Sequence, residues 1–516
     1  MNILNQEKYN IHYNHRKSNH GSVNRELVLT VLLFGSIGAI TWAIRGTAGW
    51  GGVDGTVIPG LMWGILWYYV AFRKGIDARG VVLWLGLGLA LGGELGYGQY
   101  TSWIRGIFYV GEGTIPIKPW LGYFWFTMCG IGWAGPGGII LGWALGRRVS
   151  IRIWVIRSLT LVVLMLLLFA WPLVDWLGEI MLKTNLNILF PNADQGIYSV
   201  ELGKHLERTV YTNTQNFSVV AWWIIALILA AWQRDKVTIV TGLIIGGGFG
   251  IGFMQSALWT LGYGFNPEYI DWWKIWELNS GFNLGVLYAI TLFWAIRQFD
   301  KTSKSNKKTI ETSVQPTKWV EWRETLFLAS AGFVLLFFVG FEYFFWTGLT
   351  LSLFYFIAMC LTTTGNIESQ AIEERRKNIS LVYSIFFLVF LLFHGGSERF
   401  GIVFNLYELD EVSQCSWPLE RILVFVPIAI IITVIAIYQI QKNLWPVSSR
   451  NRGDTFMAKQ SLRIIDLMTV TGFIGVLSIW PAKISVFYAF FLVVAIYAFN
   501  RLDHRFAKIK QESSPN

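Results

Sequence analysis

The sequence predicts an all-α, polytopic integral membrane protein of about 14 transmembrane helices. Three observations predict it. The 516 residues are 54% hydrophobic and only 14% charged, where a soluble domain carries about a quarter charged residues. The apolar residues gather into runs of roughly 20, the length a helix needs to cross the hydrocarbon core. The connections between runs alternate in Lys and Arg content, as expected of loops on opposite sides of a membrane. These features exclude an ordinary soluble enzyme, a disordered chain and a nucleic-acid-binding domain. They assign the formal net charge of +10 to membrane topology, with no nucleic-acid partner.

Residues 1–25 form a polar tail without the apolar core of a cleavable signal, so the first run is expected to stay as a helix. Runs near 26–44, 53–72, 80–98, 119–146, 153–177, 217–233, 237–262 and 278–297 make a glycine-rich, eight-helix half over 26–297. Residues 298–324 begin with a polar, basic stretch and read as a cytoplasmic linker. Runs near 325–346, 349–363, 379–394, 421–441, 465–480 and 483–500 make a six-helix half over 325–500, and 501–516 is a second tail. Basic residues such as Arg73, Arg79, Arg147, Arg152, Arg234, Lys236, Arg375 and Arg501 fall on alternate connections. Acids such as Glu179, Asp194, Glu268, Asp271 and Asp410 fall on the others. Both ends are therefore expected in the cytoplasm.

The first half reads as duplicated. Gly86, Leu87, Gly92, Gly96, Gln99 and Trp103 match Gly242, Leu243, Gly248, Gly252, Gln255 and Trp259 in spacing. Trp125, Gly130, Trp143 and Ala144 then align with Trp276, Gly281, Trp294 and Ala295. Copies four helices apart cross in the same direction, which predicts parallel four-helix repeats over about 26–148 and 153–297.

Glycines recur every four residues at Gly88, Gly92 and Gly96, at Gly138, Gly142 and Gly146, and at Gly248 and Gly252. Such stripes allow close helix approach, read first as tight packing and second as a sliding interface. Gly130, Gly132 and Gly135 form GxGxxG inside a span, not between a strand and a helix, so no dinucleotide site is expected. Pro136 is expected to kink or break its helix. No P-loop, HExxH or CxxC pattern occurs, and neither a metal nor any other cofactor is expected.

The candidate site gathers at the ends of spans that face away from the cytoplasm. Arg45 and Asp54 flank a glycine-rich connection, and irregular backbone near membrane depth must be buried or line a wet cavity. Glu94 falls in the outer part of the third span, five residues before Gln99, and Arg105 lies just beyond that helix, with Gln255 as the repeat-mate of Gln99. Trp103 and Trp259 add aromatic faces suited to a sugar or organic ring. Glu94 and Glu342 are candidate proton-coupling acids. His394, Glu398 and Arg399 form a secondary cluster. YTNTQNF (211–217) and HGGSERFG (394–401), in the longer connections 178–216 and 395–420, are candidate lining segments. No catalytic residues are assigned.

These residues predict a secondary transporter or flippase for an anionic or sugar-containing solute, with a polar cavity open to the external side. A polytopic glycosyl- or phosphoryl-transferase acting externally on a lipid-linked substrate is the second expectation. A non-catalytic subunit of a membrane complex is the third. The expected partners are the lipid bilayer and a small-molecule or lipid-linked substrate. With no organelle address, the expected setting is a bacterial inner membrane.

Overall fold

A computed structural model of the chain describes residues 20–47, 59–60, 62–64, 66–67, 69–71, 81–93, 95, 100–110, 113–145, 150–170, 172–174, 176–177, 200–265, 270–306 and 483–513. These residues are helical apart from one hairpin and short connecting turns. Six stretches among them are long and apolar enough to cross a membrane: Arg25–Ala43, Pro119–Leu145, Tyr211–Trp232, Lys236–Gly264, Trp272–Gln298 and Val486–Phe506. The chain is a multi-pass helical membrane protein.

The helices are α1 (His20–Thr47), α2 (Val81–Gly92), α3 (Tyr100–Ile104), α4 (Pro119–Leu145), α5 (Ile151–Phe169), α6 (Val200–Trp232), α7 (Lys236–Gly242), α8 (Gly248–Ala257), α9 (Trp272–Asn306) and α10 (Lys483–Ser513). Strands β1 (Ile107–Val110) and β2 (Gly113–Pro116) form an antiparallel hairpin between α3 and α4, pairing Ile107 with Pro116 and Val110 with Gly113. Gly106 enters it at φ 79, a left-handed conformation that a side chain would strain.

Helix α4 is the axle of the bundle. Proline at its first position lacks the N–H that a helix start leaves unpaired. Its residues are buried from Ala134 through Leu145 without a gap, because α2, α3, α6, α7 and α8 all pack on it. The expected break at Pro136 does not occur, and the helix runs through it. Glycine is what allows this crowding. A Cβ on Gly88 would lie 2.6 Å from Gly137 Cα, and one on Gly138 would lie 2.8 Å from the Thr241 carbonyl. Gly88, Gly92, Gly138 and Gly142 are thus tight packing positions.

Helices α1 and α9 cross in the same manner. A Cβ on either Gly38 or Gly281 would collide with the other's carbonyl oxygen. The span Lys236–Gly264 is not a uniform α-helix. A π-helical turn, Leu243–Gly247, joins α7 to α8, and a 3-10 segment, Leu258–Gly264, ends it. Extra turns of this kind leave backbone carbonyls underused. The Trp223 indole donates to one of them, Gly242 O, at 3.3 Å.

Helix α10 runs antiparallel along α1. Arg505 Nε donates to Glu26 Oε1 at 3.3 Å. Tyr69 OH, from the helical residues between 59 and 71, donates to Asp503 Oδ1 and lays its ring 5.5 Å from Phe499. The bundle therefore has a proximal end, with Glu26, Leu145, Asp235 and Arg505. At the distal end α1 finishes and α4 and α9 begin.

Candidate functional site

The charged part of the site is built by the first two turns of α9. Asp271 caps this helix: its carbonyl accepts from Ile275 N at 3.1 Å, and its Oδ1 accepts from Lys274 N at 3.1 Å. Lys274 and Glu277 then share a helix face by their i,i+3 spacing. On a surface helix that pair would be wet. Here the face meets α1, and both side chains are 1% exposed. Lys274 Nζ donates to Glu277 Oε2 at 2.6 Å and to the Ala43 carbonyl at 3.5 Å. The Trp273 indole donates to Glu277 Oε1 at 2.9 Å, so both carboxylate oxygens are engaged.

Arg105 and Tyr263 complete this cluster. The guanidinium lies 5.3 Å from the centroid of the Tyr263 ring, and its Nε donates to Thr101 O at 3.4 Å. Tyr263 OH accepts from Trp273 N at 3.2 Å. Asp271 Oδ2 is buried and has no hydrogen-bond partner. Burial pushes the Asp271 carboxyl above the usual carboxylate range, against the downward pull of the Lys274 N–H and ammonium.

The uncharged part lies on α6. The run Asn213, Thr214, Gln215, Asn216 is buried inside a membrane-crossing stretch. Tyr100 OH donates to Asn213 Oδ1 at 2.7 Å and accepts from Asn216 Nδ2 at 3.0 Å. Gln215 Nε2 donates to Leu168 O at 3.2 Å, tying α6 to α5. Asn213 Nδ2 and Thr214 Oγ1 are buried with no hydrogen-bond partner. The two polar groups share an aromatic wall. Tyr100 meets Phe126 at 5.7 Å between centroids, Phe126 meets Trp276 at 5.7 Å, and Trp276 meets Trp273 at 4.8 Å.

Of the residues expected from the sequence, the four with described side chains are scattered by comparison. Arg105 joins the charged cluster. Trp103 is core, 1% exposed and edge-on to Tyr100. Gln255 and Trp259 lie on an outer face, where Asn283 Nδ2 donates to Gln255 Oε1 at 2.7 Å and Trp259 donates to Asn279 Oδ1 at 3.1 Å. Trp103 and its expected repeat-mate Trp259 thus have different surroundings, since Trp259 is 44% exposed. Arg45 is in the last turn of α1, described in its backbone alone. Asp54, Glu94, Gln99, Glu342, His394, Glu398 and Arg399 lie outside the described residues.

Lys274, Glu277 and Tyr100 were not singled out from the sequence, and Asn213 and Asn216 were reached only as members of the lining segment 211–217. The signal that finds the first pair is Lys-x-x-Glu opening an apolar run. For the amides it is the density of Asn and Gln in 211–217, provided that segment is read as helix.

A third polar group sits at the proximal end. Asp235 caps α7 by accepting from Thr238 N at 3.1 Å and Thr238 Oγ1 at 2.6 Å. It also pairs at 3.0 Å with Arg157, which is 2% exposed and lies 5.7 Å from the Trp143 ring. Its geometry is that of a helix-end clamp joining α4, α5 and α7.

No protein-family model matches the chain, and no curated protein or solved structure matches it. The functional reading therefore rests on the chemistry of these residues.

Proposed function

We propose that this protein is a secondary transporter or flippase for an anionic or sugar-containing solute. The observation that carries the reading is the Lys274–Glu277 pair, 1% exposed on both sides and set within a membrane-crossing stretch. A buried ion pair is a weak way to gain stability, since apolar residues of similar volume usually serve as well. Ionisable groups inside a membrane protein mark solute or proton paths by default. The neighbouring groups fit the same solute class. An ammonium and a guanidinium suit an anionic head group, and carboxamides beside aromatic faces suit sugar hydroxyls.

The finer architecture belongs to the same proposal. It has about 14 spans, both ends cytoplasmic, and two parallel four-helix repeats able to rock against each other. The antiparallel course of α1 and α10, with Glu26 and Arg505 at one end, supports an even number of crossings between them. Trp125 and Trp276, expected mates, are both buried near the starts of α4 and α9, which supports the repeat. A bacterial inner membrane is the proposed setting, with the distal end external.

The test is flux in sealed proteoliposomes with sugar phosphates and organic anions under imposed gradients. Wild type is expected to move one class. Glu277→Gln and Asn213→Ala are expected to lower that flux at least tenfold, and Glu94→Gln to weaken its coupling. Product formation in detergent, with no sealed compartment, would replace this reading by a membrane transferase. A stoichiometric partner together with no activity of the isolated chain would replace it by a complex subunit.

A further inference from the structure

We propose that Asp271 is a proton-binding site, taking up a proton at Oδ2 and releasing it to the distal side, with Lys274 answering to its charge. The geometry is a shortage of cations among the described side chains. Asp271 and Glu277 are two carboxylates on the same helix start, and one ammonium, that of Lys274, stands between them in sequence. Lys274 is committed to Glu277 at 2.6 Å, and only its backbone N–H reaches Asp271, at Oδ1. Arg105, a further cation at this end, lies against the Tyr263 ring and makes no ion pair with Asp271 among the described residues. Asp271 Oδ2 is left buried and without a hydrogen-bond partner.

An ionised oxygen in that position is costly, and a proton on it removes the cost. The observed arrangement is the one a protonated Asp271 prefers. On ionisation, Asp271 competes with Glu277 for Lys274. Movement of the ammonium would then disturb the two contacts it helps to hold, the Ala43 carbonyl of α1 and the carboxylate bonded to Trp273. A proton is thereby linked to the α1–α9 contact. Among the described residues, the charged and titratable groups around Asp271 are Lys274 and Glu277 on α9, Tyr263 on the preceding 3-10 segment and, beyond that ring, Arg105 after α3. Burial raises the Asp271 carboxyl pKa, which agrees with the geometry. The sign follows from linkage. The folded protein holds this proton more tightly than the unfolded chain, so its stabilising effect is full at low pH. It declines as pH rises from the ordinary Asp range through the raised folded value.

The proton site stands by itself; its role as the coupling site rests on the transport reading. The test uses the full chain in lipid nanodiscs and pH-difference infrared spectroscopy. Asp271→Asn is the variant, because asparagine also caps a helix and keeps an acceptor for Lys274 N. Wild type is expected to show a carboxylic-acid carbonyl band that titrates above the ordinary Asp range. The band should be lost in Asp271→Asn; in Glu277→Gln, which frees Lys274 for Asp271, it should persist and titrate at lower pH than in wild type. Absence of the band in wild type, or its persistence in Asp271→Asn, overturns the proposal. In proteoliposomes, the Asp271→Asn protein is expected to lose the pH dependence of flux. If no solute moves while the band behaves as expected, the transport reading fails and the proton site remains.

Discussion

Replacing Glu277 by alanine should be among the most destabilising single changes in the described bundle. The side chain accepts two hydrogen bonds, from Lys274 at 2.6 Å and from the Trp273 indole at 2.9 Å. Its loss takes the 2.6 Å carboxylate partner from an ammonium that is 1% exposed. Removing one member of a buried pair costs about 3–5 kcal/mol, because the remaining charge stays desolvated and loses its counter-charge. Removing both charges is different. Lys274→Met with Glu277→Leu keeps apolar volume at the α1–α9 contact and should return to within about 2 kcal/mol of wild type. The two singles and the double form a mutant cycle, with an expected coupling of about 3 kcal/mol or more. Reversible unfolding of purified protein in bicelles, followed by tryptophan fluorescence over a denaturant series, measures all four species. A cost below about 1 kcal/mol for Glu277→Ala would match a solvated surface pair and refute the burial on which the site depends.

Two further outcomes follow from packing. Gly281→Leu places a side chain against the Gly38 backbone and should lower stability by about 3 kcal/mol or more, whereas Gly264→Ala, with open space around it, should change it by less than about 0.5 kcal/mol; thermal midpoints in detergent compare them. Asp235→Ala removes both the cap of α7 and an acidic partner of buried Arg157, for a loss of about 3 kcal/mol, while Asp235→Asn should recover the cap share of about 1 kcal/mol.

The membrane class was legible because it depends on runs of apolar residues, which need no knowledge of neighbours. Helix starts were harder. The sequence reading begins one span at 217 and another at 278, whereas the helices begin at Val200 and Trp272. The cause is the same in both places. Polar residues whose partners lie far away look like loop until those partners are known. Asn213 meets Tyr100 across 113 positions, and Lys274 meets Ala43 across 231. Residues 211–217 were recognised as polar lining but placed in a connection. Lys274 and Glu277 were left outside the span altogether. The hairpin at 107–116 was missed because eight paired residues between two apolar runs resemble any short connection. Arg105 was reached by a local argument, its depth beyond a span. Trp103 and Trp259 share a sequence context, yet one is core and the other faces outward. Depth along a helix is readable from sequence, and rotation about its axis is much less so in spans that are apolar on every side.

The clasp between α1 and α10 has a consequence for how the protein is made. Glu26 and Arg505 are separated by 479 positions. At roughly 5–20 residues per second, the ribosome needs on the order of half a minute or more to travel that distance. Throughout that interval Glu26 and Tyr69 have entered the bilayer without their final partners. A nascent chain stalled before Asp503 and Arg505 would therefore carry a lasting mark of incompleteness, a polar seam on its earliest helices, of the kind that insertion chaperones and membrane proteases are built to notice.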